Sequence, residues 1–180
     1  RRPVLAGTGA SPAEGIAFNR RFVMKDGSQV THPGKMNPDI VEPAGPADPT
    51  VTVVGFRAAD GSEPIGAVVN FACHATHMNG VLYSADYPKY IIDTLQAVYG
   101  EDFGVVFLNG ACGDVTQVDN RSPRPGEFGE YWCKRTGRAV GAAALQALAR
   151  MDYYKGSTVA AASRSLSAPI RKATQEQVKA

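Results

Sequence analysis

Two mostly apolar stretches, residues 65–73 and 103–108, flank a segment of helical periodicity. That β–α–β order restricts the chain more than any other feature in it. Between the stretches, Tyr87, Tyr90, Ile91, Thr94, Leu95 and Val98 recur at i, i+3, i+4, i+7, i+8 and i+11, one continuous helix face. Ser84 or Asp86 can cap that helix and Gly100 can end it. Residues 103–108 carry no charge, which is how a strand buried in a parallel sheet reads. Upstream, residues 51–57 read as a further strand, joined to 65–73 by an Asp60-Gly61 turn typical of hairpins. Downstream, a long helix is expected over 127–151. Its face of Ala139, Val140, Ala143, Ala144, Ala147 and Leu148 is small enough to lie close on a sheet. A last strand is expected at about 158–166.

The remaining segments are punctuated. Residues 1–18 are rich in Gly and Ala and read as loop. A short strand over 18–24 turns at Lys25-Asp26-Gly27-Ser28. Five prolines (Pro33, Pro38, Pro43, Pro46, Pro49) exclude a helix or a central strand between Thr31 and Pro49, leaving a long surface excursion. Together the elements predict an α/β fold with a mixed, largely parallel sheet and flanking helices, forming part of a larger catalytic domain. The chain starts at Arg1 without a methionine, and residues 1–180 read as a single segment incomplete at both ends.

Composition excludes several classes of function. With Lys+Arg 19 against Asp+Glu 17 the net charge is +2, too balanced for charge-driven binding of nucleic acid. The longest apolar run is far short of the roughly 20 residues that cross a bilayer. Three cysteines, Cys73, Cys112 and Cys133, form neither a disulfide framework nor a CxxC pair. Cys133 and Trp132 are expected to pack against the fold.

In α/β folds, sites gather beyond the carboxyl ends of the strands. Two loops sit there. The first holds His74 and His77, three residues apart, and neutral imidazole is a common zinc ligand. His74 is the stronger candidate and His77 the weaker; the alternative is that they bond to loop backbone. The second loop runs from Asn109 to Gln117. Its Gly110 and Gly113 permit positive φ and close backbone approach, and its N–H groups can hold an oxyanion. Cys112 and Thr116 are both candidate nucleophiles there, and Asp114 can orient a neighbour or cap the turn. His32, in the proline-rich excursion, is expected to face solvent, and Asp86 to serve as a helix cap.

Four stretches, in order, resemble the amino-terminal catalytic domain of the neutral/alkaline non-lysosomal ceramidases and their bacterial relatives. They are Glu14–Arg21, Asn70–Met78, Ser84–Tyr87 and Gly113–Thr116. The resemblance covers most of residues 14–118. It implies a zinc-dependent hydrolase of a linear amide, such as an N-acyl sphingoid or a related lipid amide, in a secreted or periplasmic setting. It makes His74 a zinc ligand, and Thr116, Arg20 and Asp114 the catalytic group. Asn19, Gly113 and Cys112 then line the substrate. Ala75 stands where the family has proline, His77 and Thr116 where it has serine, and Gln117 where it has proline. The family's remaining zinc ligands, a His-x-His segment upstream and a Glu and Tyr downstream, have no counterpart in this chain.

A second resemblance is to caspase-like cysteine peptidases. There one strand ends at the catalytic His and the next at a Cys-x-Gly turn; here His74 and Cys112-Gly113 hold those places, 38 residues apart, against roughly 50 in caspases. A third alternative is a non-catalytic scaffold.

Overall fold

A computed structural model describes residues 3–156, 160–170 and 172. The central sheet has four strands in the order β1-β6-β7-β8: β1 (Val4–Pro12), β6 (Thr50–Ala58), β7 (Pro64–Phe71) and β8 (Gly104–Asn109). The β6–β7 hairpin turns through Gly61 at φ 76, a conformation glycine adopts without penalty. The sheet is mixed, as expected. Its parallel pairing is confined to β7–β8, while β1–β6 and β6–β7 are antiparallel.

Helix α1 (Tyr87–Tyr99) connects β7 to β8, and α2 (Glu130–Ala149) lies beside it. Both helices cover the same face of the sheet. Val51, Val53, Ala67, Val69 and Phe71 of that face meet Ile91, Leu95, Val140, Ala144 and Leu148 in one core. Asp86 caps α1 by accepting from Tyr87 N at 2.7 Å, and Gly100 ends it at φ 95. Val98, expected on the buried face, is instead exposed, because the buried line of α1 runs through Tyr87, Ile91 and Leu95 to Tyr99 and Val98 stands to one side of it.

The two helices touch where α2 has no side chains. A Cβ on Gly137 would overlap Tyr87 O, and one on Gly141 would meet Thr94 Cβ at 2.7 Å. These glycines weaken the helix intrinsically by up to about 1 kcal/mol each. They permit a backbone approach that buries Tyr87, Ile91 and Leu95.

Several expectations are revised. Residues 4–12, read as loop, form β1, paired with β6 in an unbroken register from Val4↔Ala58 to Pro12↔Thr50. Gly7 and Gly9 have low strand propensity, but they admit the chain after α2: a Cβ on Gly7 would overlap Asp152 O. The single strand expected over 18–24 is two strands of different sheets, β2 (Phe18–Asn19) and β3 (Arg21–Met24), divided at Arg20. An unexpected strand β4 (Gln29–Thr31) precedes the proline-rich excursion, which itself contributes β5 (Ile40–Pro43); both flank β3 in a small sheet, and because β5 is an edge, Pro43 is accommodated and the exclusion of a central strand holds. Of the last expected strand, 158 and 159 lie outside the described residues, and 160–166 are exposed without strand pairing. Strand β8 is likewise an edge, with Val106 and Leu108 half exposed on the sheet face the helices leave open.

Gly137→Ala sets a helix-propensity gain below about 1 kcal/mol against a clash with backbone that cannot yield. The clash wins: a net loss of about 1–3 kcal/mol is expected in urea unfolding. Unchanged stability would show that the helices do not meet at Gly137.

Candidate functional site

The site is built where β2 meets β9 (Val115–Thr116) in a two-residue antiparallel ladder, Phe18↔Thr116 and Asn19↔Val115. This ladder lies beyond the carboxyl ends of β7 and β8. The two loops are bonded to each other there: Gly110 N donates to Phe71 O at 3.0 Å, and His74 N to Val115 O at 3.2 Å.

Side chains reinforce so short a ladder. Buried Asn19 donates through Nδ2 to Asp114 Oδ2 at 2.9 Å and accepts Arg21 N at Oδ1. Arg20 N donates to Asp114 O at 2.7 Å, and its guanidinium to Gly113 O at 2.7 Å. Arg20 O in turn accepts His32 N at 2.8 Å. Arg20, Asn19, Gly113 and Asp114, widely separated in sequence, therefore form one cluster.

Neither Gly110 nor Gly113 has positive φ, contrary to one reason given for glycine there. Gly110 is required by closeness, since a Cβ would lie 3.0 Å from that of Ala72. Gly113 has open space where a side chain would stand, next to the carbonyl that Arg20 holds.

His74 is partly buried. Its Nδ1 lies 3.6 Å from Cys112 Sγ, which also accepts Asn109 Nδ2 at 3.4 Å. Burial, then the positive charge of Arg20 and the nearness of His32, lower the pKa of His74 and favour its neutral form. His32 is exposed, as expected. Its ring is held by Asn120 at 3.2 Å, and it belongs to the surroundings of His74, a role its sequence position does not reveal.

Thr116 is buried, and its hydroxyl donates to Gln117 Oε1 at 2.9 Å. Gln117 also accepts from Thr76 Oγ1 and donates to Thr76 O, bridging the two loops. Sequence reading gave Gln117 no role; its burial is what discloses one. Asn19 also borders a cavity of about 540 Å³, lined by Ala17, Phe18, Phe22, Pro43 and Pro46 together with the charged Asp119 and Arg121.

His77 lies apart, fully buried, with Nδ1 2.8 Å from Asp86 Oδ1 and Nε2 2.9 Å from Thr136 Oγ1. Both ring nitrogens are thus committed within the fold. Asp86 also accepts Met78 N and Tyr87 N, so one carboxylate fixes the His loop and starts α1. Burial opposes ionisation of Asp86, but these hydrogen bonds and the nearby imidazole outweigh it and hold its pKa below the usual value. Tyr87 adds a bond from its hydroxyl to Cys73 O at 2.9 Å. Burial pushes the Cys73 and Cys133 thiols up to about 12, leaving both inert packing residues.

Among the described residues, no group of three or more His, Cys, Asp or Glu side chains is placed to hold a metal ion. His74 Nε2 is the open imidazole donor and the Cys112 thiol is its neighbour, fewer than a zinc ion takes. The residues present do not by themselves make a zinc site.

Among solved structures, the chain is similar to a neutral ceramidase from Pseudomonas aeruginosa, with TM-score 0.60 and 24% identity over 83% of this chain and 23% of that one. It is also similar to a ceramidase complexed with C2, with TM-score 0.62 and 23% identity over the same shares. The chain thus spans about a quarter of the length of the structures it matches, and the likeness is one of fold. No protein-family model and no curated protein matches the chain.

Because the folded pKa of Asp86 is depressed, its ionised form stabilises the fold above the ordinary carboxylate value of 3.8, and that contribution fades as pH falls through the folded value. Asp86→Asn is expected to lose about 1–3 kcal/mol at neutral pH. In the variant, stability should fall less steeply below pH 3.8, measured by urea midpoints across the acid range. Parallel acid profiles for the two proteins would contradict the assignment.

Proposed function

We propose that this chain is part of a hydrolase of the ceramidase type, cleaving the amide bond of a small-molecule or lipid amide. The observation that carries this reading is the gathering of Arg20, His74, Cys112, Asp114 and Thr116 around the β2–β9 ladder of a ceramidase-like fold. Amide hydrolysis develops negative charge on the carbonyl oxygen, and a guanidinium beside a glycine turn is suited to hold it. One donor of Arg20 is taken by Gly113 O, and the guanidinium has others to offer. Asp114 acts through Asn19, locking the loop that carries Thr116. The cavity beside Asn19, apolar along Phe18, Phe22, Pro43 and Pro46 and charged at Asp119 and Arg121, accommodates a hydrocarbon portion of the substrate along its apolar wall. A lipid amide substrate and a secreted or periplasmic setting belong to the same proposal.

His74 is kept neutral by its surroundings, the form needed both to accept a proton and to bind a metal. In the ceramidase reading it is the one zinc ligand this segment supplies, completed by residues outside the described ones. Because the donors present do not complete that site, no step of the account passes through zinc.

One distance favours a second reading. At 3.6 Å, Cys112 Sγ and His74 Nδ1 are placed as a thiol nucleophile and its base, the pairing of cysteine peptidases.

The two readings separate by substitution in the intact protein. In the first, His74→Ala lowers bound zinc and cuts hydrolysis of a short-chain N-acyl amide by about 100-fold or more, while Cys112→Ser retains activity and chelators abolish it. Zinc retained at wild-type stoichiometry in His74→Ala would overturn the ligand assignment. Activity lost in Cys112→Ser but indifferent to chelators would establish the thiol reading. A folded protein with neither zinc nor amidase activity would contradict both and identify a scaffold.

A further inference from the structure

The loop between His77 and the cap of α1 is unlike the rest of the surface. Val81 and Leu82 are 99% and 88% exposed, Tyr83 is fully exposed, and Met78 is half exposed. Three consecutive large apolar side chains standing free in water is the opposite of what burial of apolar area favours. From His74 to Ala85 the chain has no Asp, Glu, Lys or Arg. Gly129 N donates to His77 O at 2.8 Å, which brings the start of α2 beside this loop with Phe128 and Tyr131 also exposed. The result is an apolar tip with two tyrosines and a phenylalanine, its one exposed acid, Glu130, neutralised by an ion pair with Lys134 at 2.7 Å.

Behind the tip the character changes. Tyr131, Arg135 and Arg138 recur at i, i+4 and i+7 on one exposed face of α2. Apolar tip, aromatic ring, then arginine is the order met along the normal of a lipid interface: hydrocarbon, headgroup boundary, phosphate. A docked protein would use the apolar tip but has no general need of the cationic stripe behind it.

We propose that residues 78–83, with Phe128 and Tyr131, insert into the surface of a lipid bilayer, and that Arg135 and Arg138 meet its phosphates. The insertion is peripheral: among the described residues no helix is long and apolar enough to cross a membrane. Because the loop leaves His74 within a few residues, insertion sets the candidate site at the interface where a lipid amide resides. The inference rests on the lipid amide reading for its purpose, but not for its test.

The test is co-sedimentation of the full chain with phosphatidylcholine vesicles, with and without phosphatidylglycerol. The wild-type protein is expected to pellet with both, more strongly with the anionic lipid. Val81→Ser with Leu82→Ser and Tyr83→Ser should reduce partitioning by about tenfold or more. These side chains pack on nothing in the fold, so the thermal transition should be unchanged; Leu82→Asp alone is a second, smaller perturbation expected to act in the same direction. Arg135→Gln with Arg138→Gln should remove only the preference for anionic vesicles, as should added salt. Wild-type protein left in the supernatant at every lipid concentration would overturn the proposal, as would equal binding by the triple variant. A lipid-free dimer abolished by the same substitutions would also overturn it, since a second copy would then cover the loop. Vesicle binding requires no turnover, and hydrolysis of a soluble short-chain amide requires no vesicle, so failure of either reading is seen separately.

Discussion

Two residues of β2 paired with two of β9 hold the candidate site together. On its own a ladder this short is worth little, because each hydrogen bond nets about 1 kcal/mol against the entropy of ordering two loops. It persists because the flanking residues are bonded across the same junction. Asn19 reaches Asp114, and Arg20 reaches both Asp114 O and Gly113 O. The residues that anchor the ladder are also those the proposed function places at the reaction centre, so in that reading structure and chemistry are not separable there. Loosening Asn19 would displace the loop that carries Cys112, Asp114 and Thr116 together.

The two histidines of the first loop illustrate how context divides one residue type. His77 is sealed between Asp86 and Thr136, and its work is to hold the loop against both helices. His74, three residues earlier, keeps an open ring nitrogen and a thiol neighbour. The close crossing of α1 and α2 at Gly137 and Gly141 supports this division, because it brings Thr136 within reach of His77. A fold that spends helix propensity on that approach gains a fixed end for β7 and hence a fixed place for His74.

The elements with strong periodicity were legible in the chain: β6, β7, β8 and α1 with its Asp86 cap all follow from spacing and turn chemistry. Those created by tertiary pairing were not. Strand β1 is spelled in small residues from Ala6 to Ser11, and forms because β6 offers it a full register and the chain at the end of α2 needs its bare glycines. The break at Arg20 is invisible in sequence because Phe18–Met24 holds no glycine or proline to mark it; the competing pairings with β9 and β5 divide it. At the site, residue types at the strand ends named His74 and the Gly110–Thr116 loop, and the family resemblance named Arg20. The parts of His32, Asn120 and Gln117 depend on contacts between residues far apart in the chain and carry no local signature. Strand β8 reads as buried on both faces yet is covered on one.

In the proposed function an amide substrate binds at the β2–β9 junction. That placement is tested most directly by following the backbone amide resonances of the isotopically labelled chain during titration with a non-hydrolysable short-chain N-acyl amide. The account predicts shifts concentrated at Asn19, Arg20, His74 and residues 112–116, with Phe18 and Phe22 of the adjoining cavity, and their loss in Arg20→Ala. Saturable shifts confined to another face of the molecule, with this junction unmoved, would contradict it.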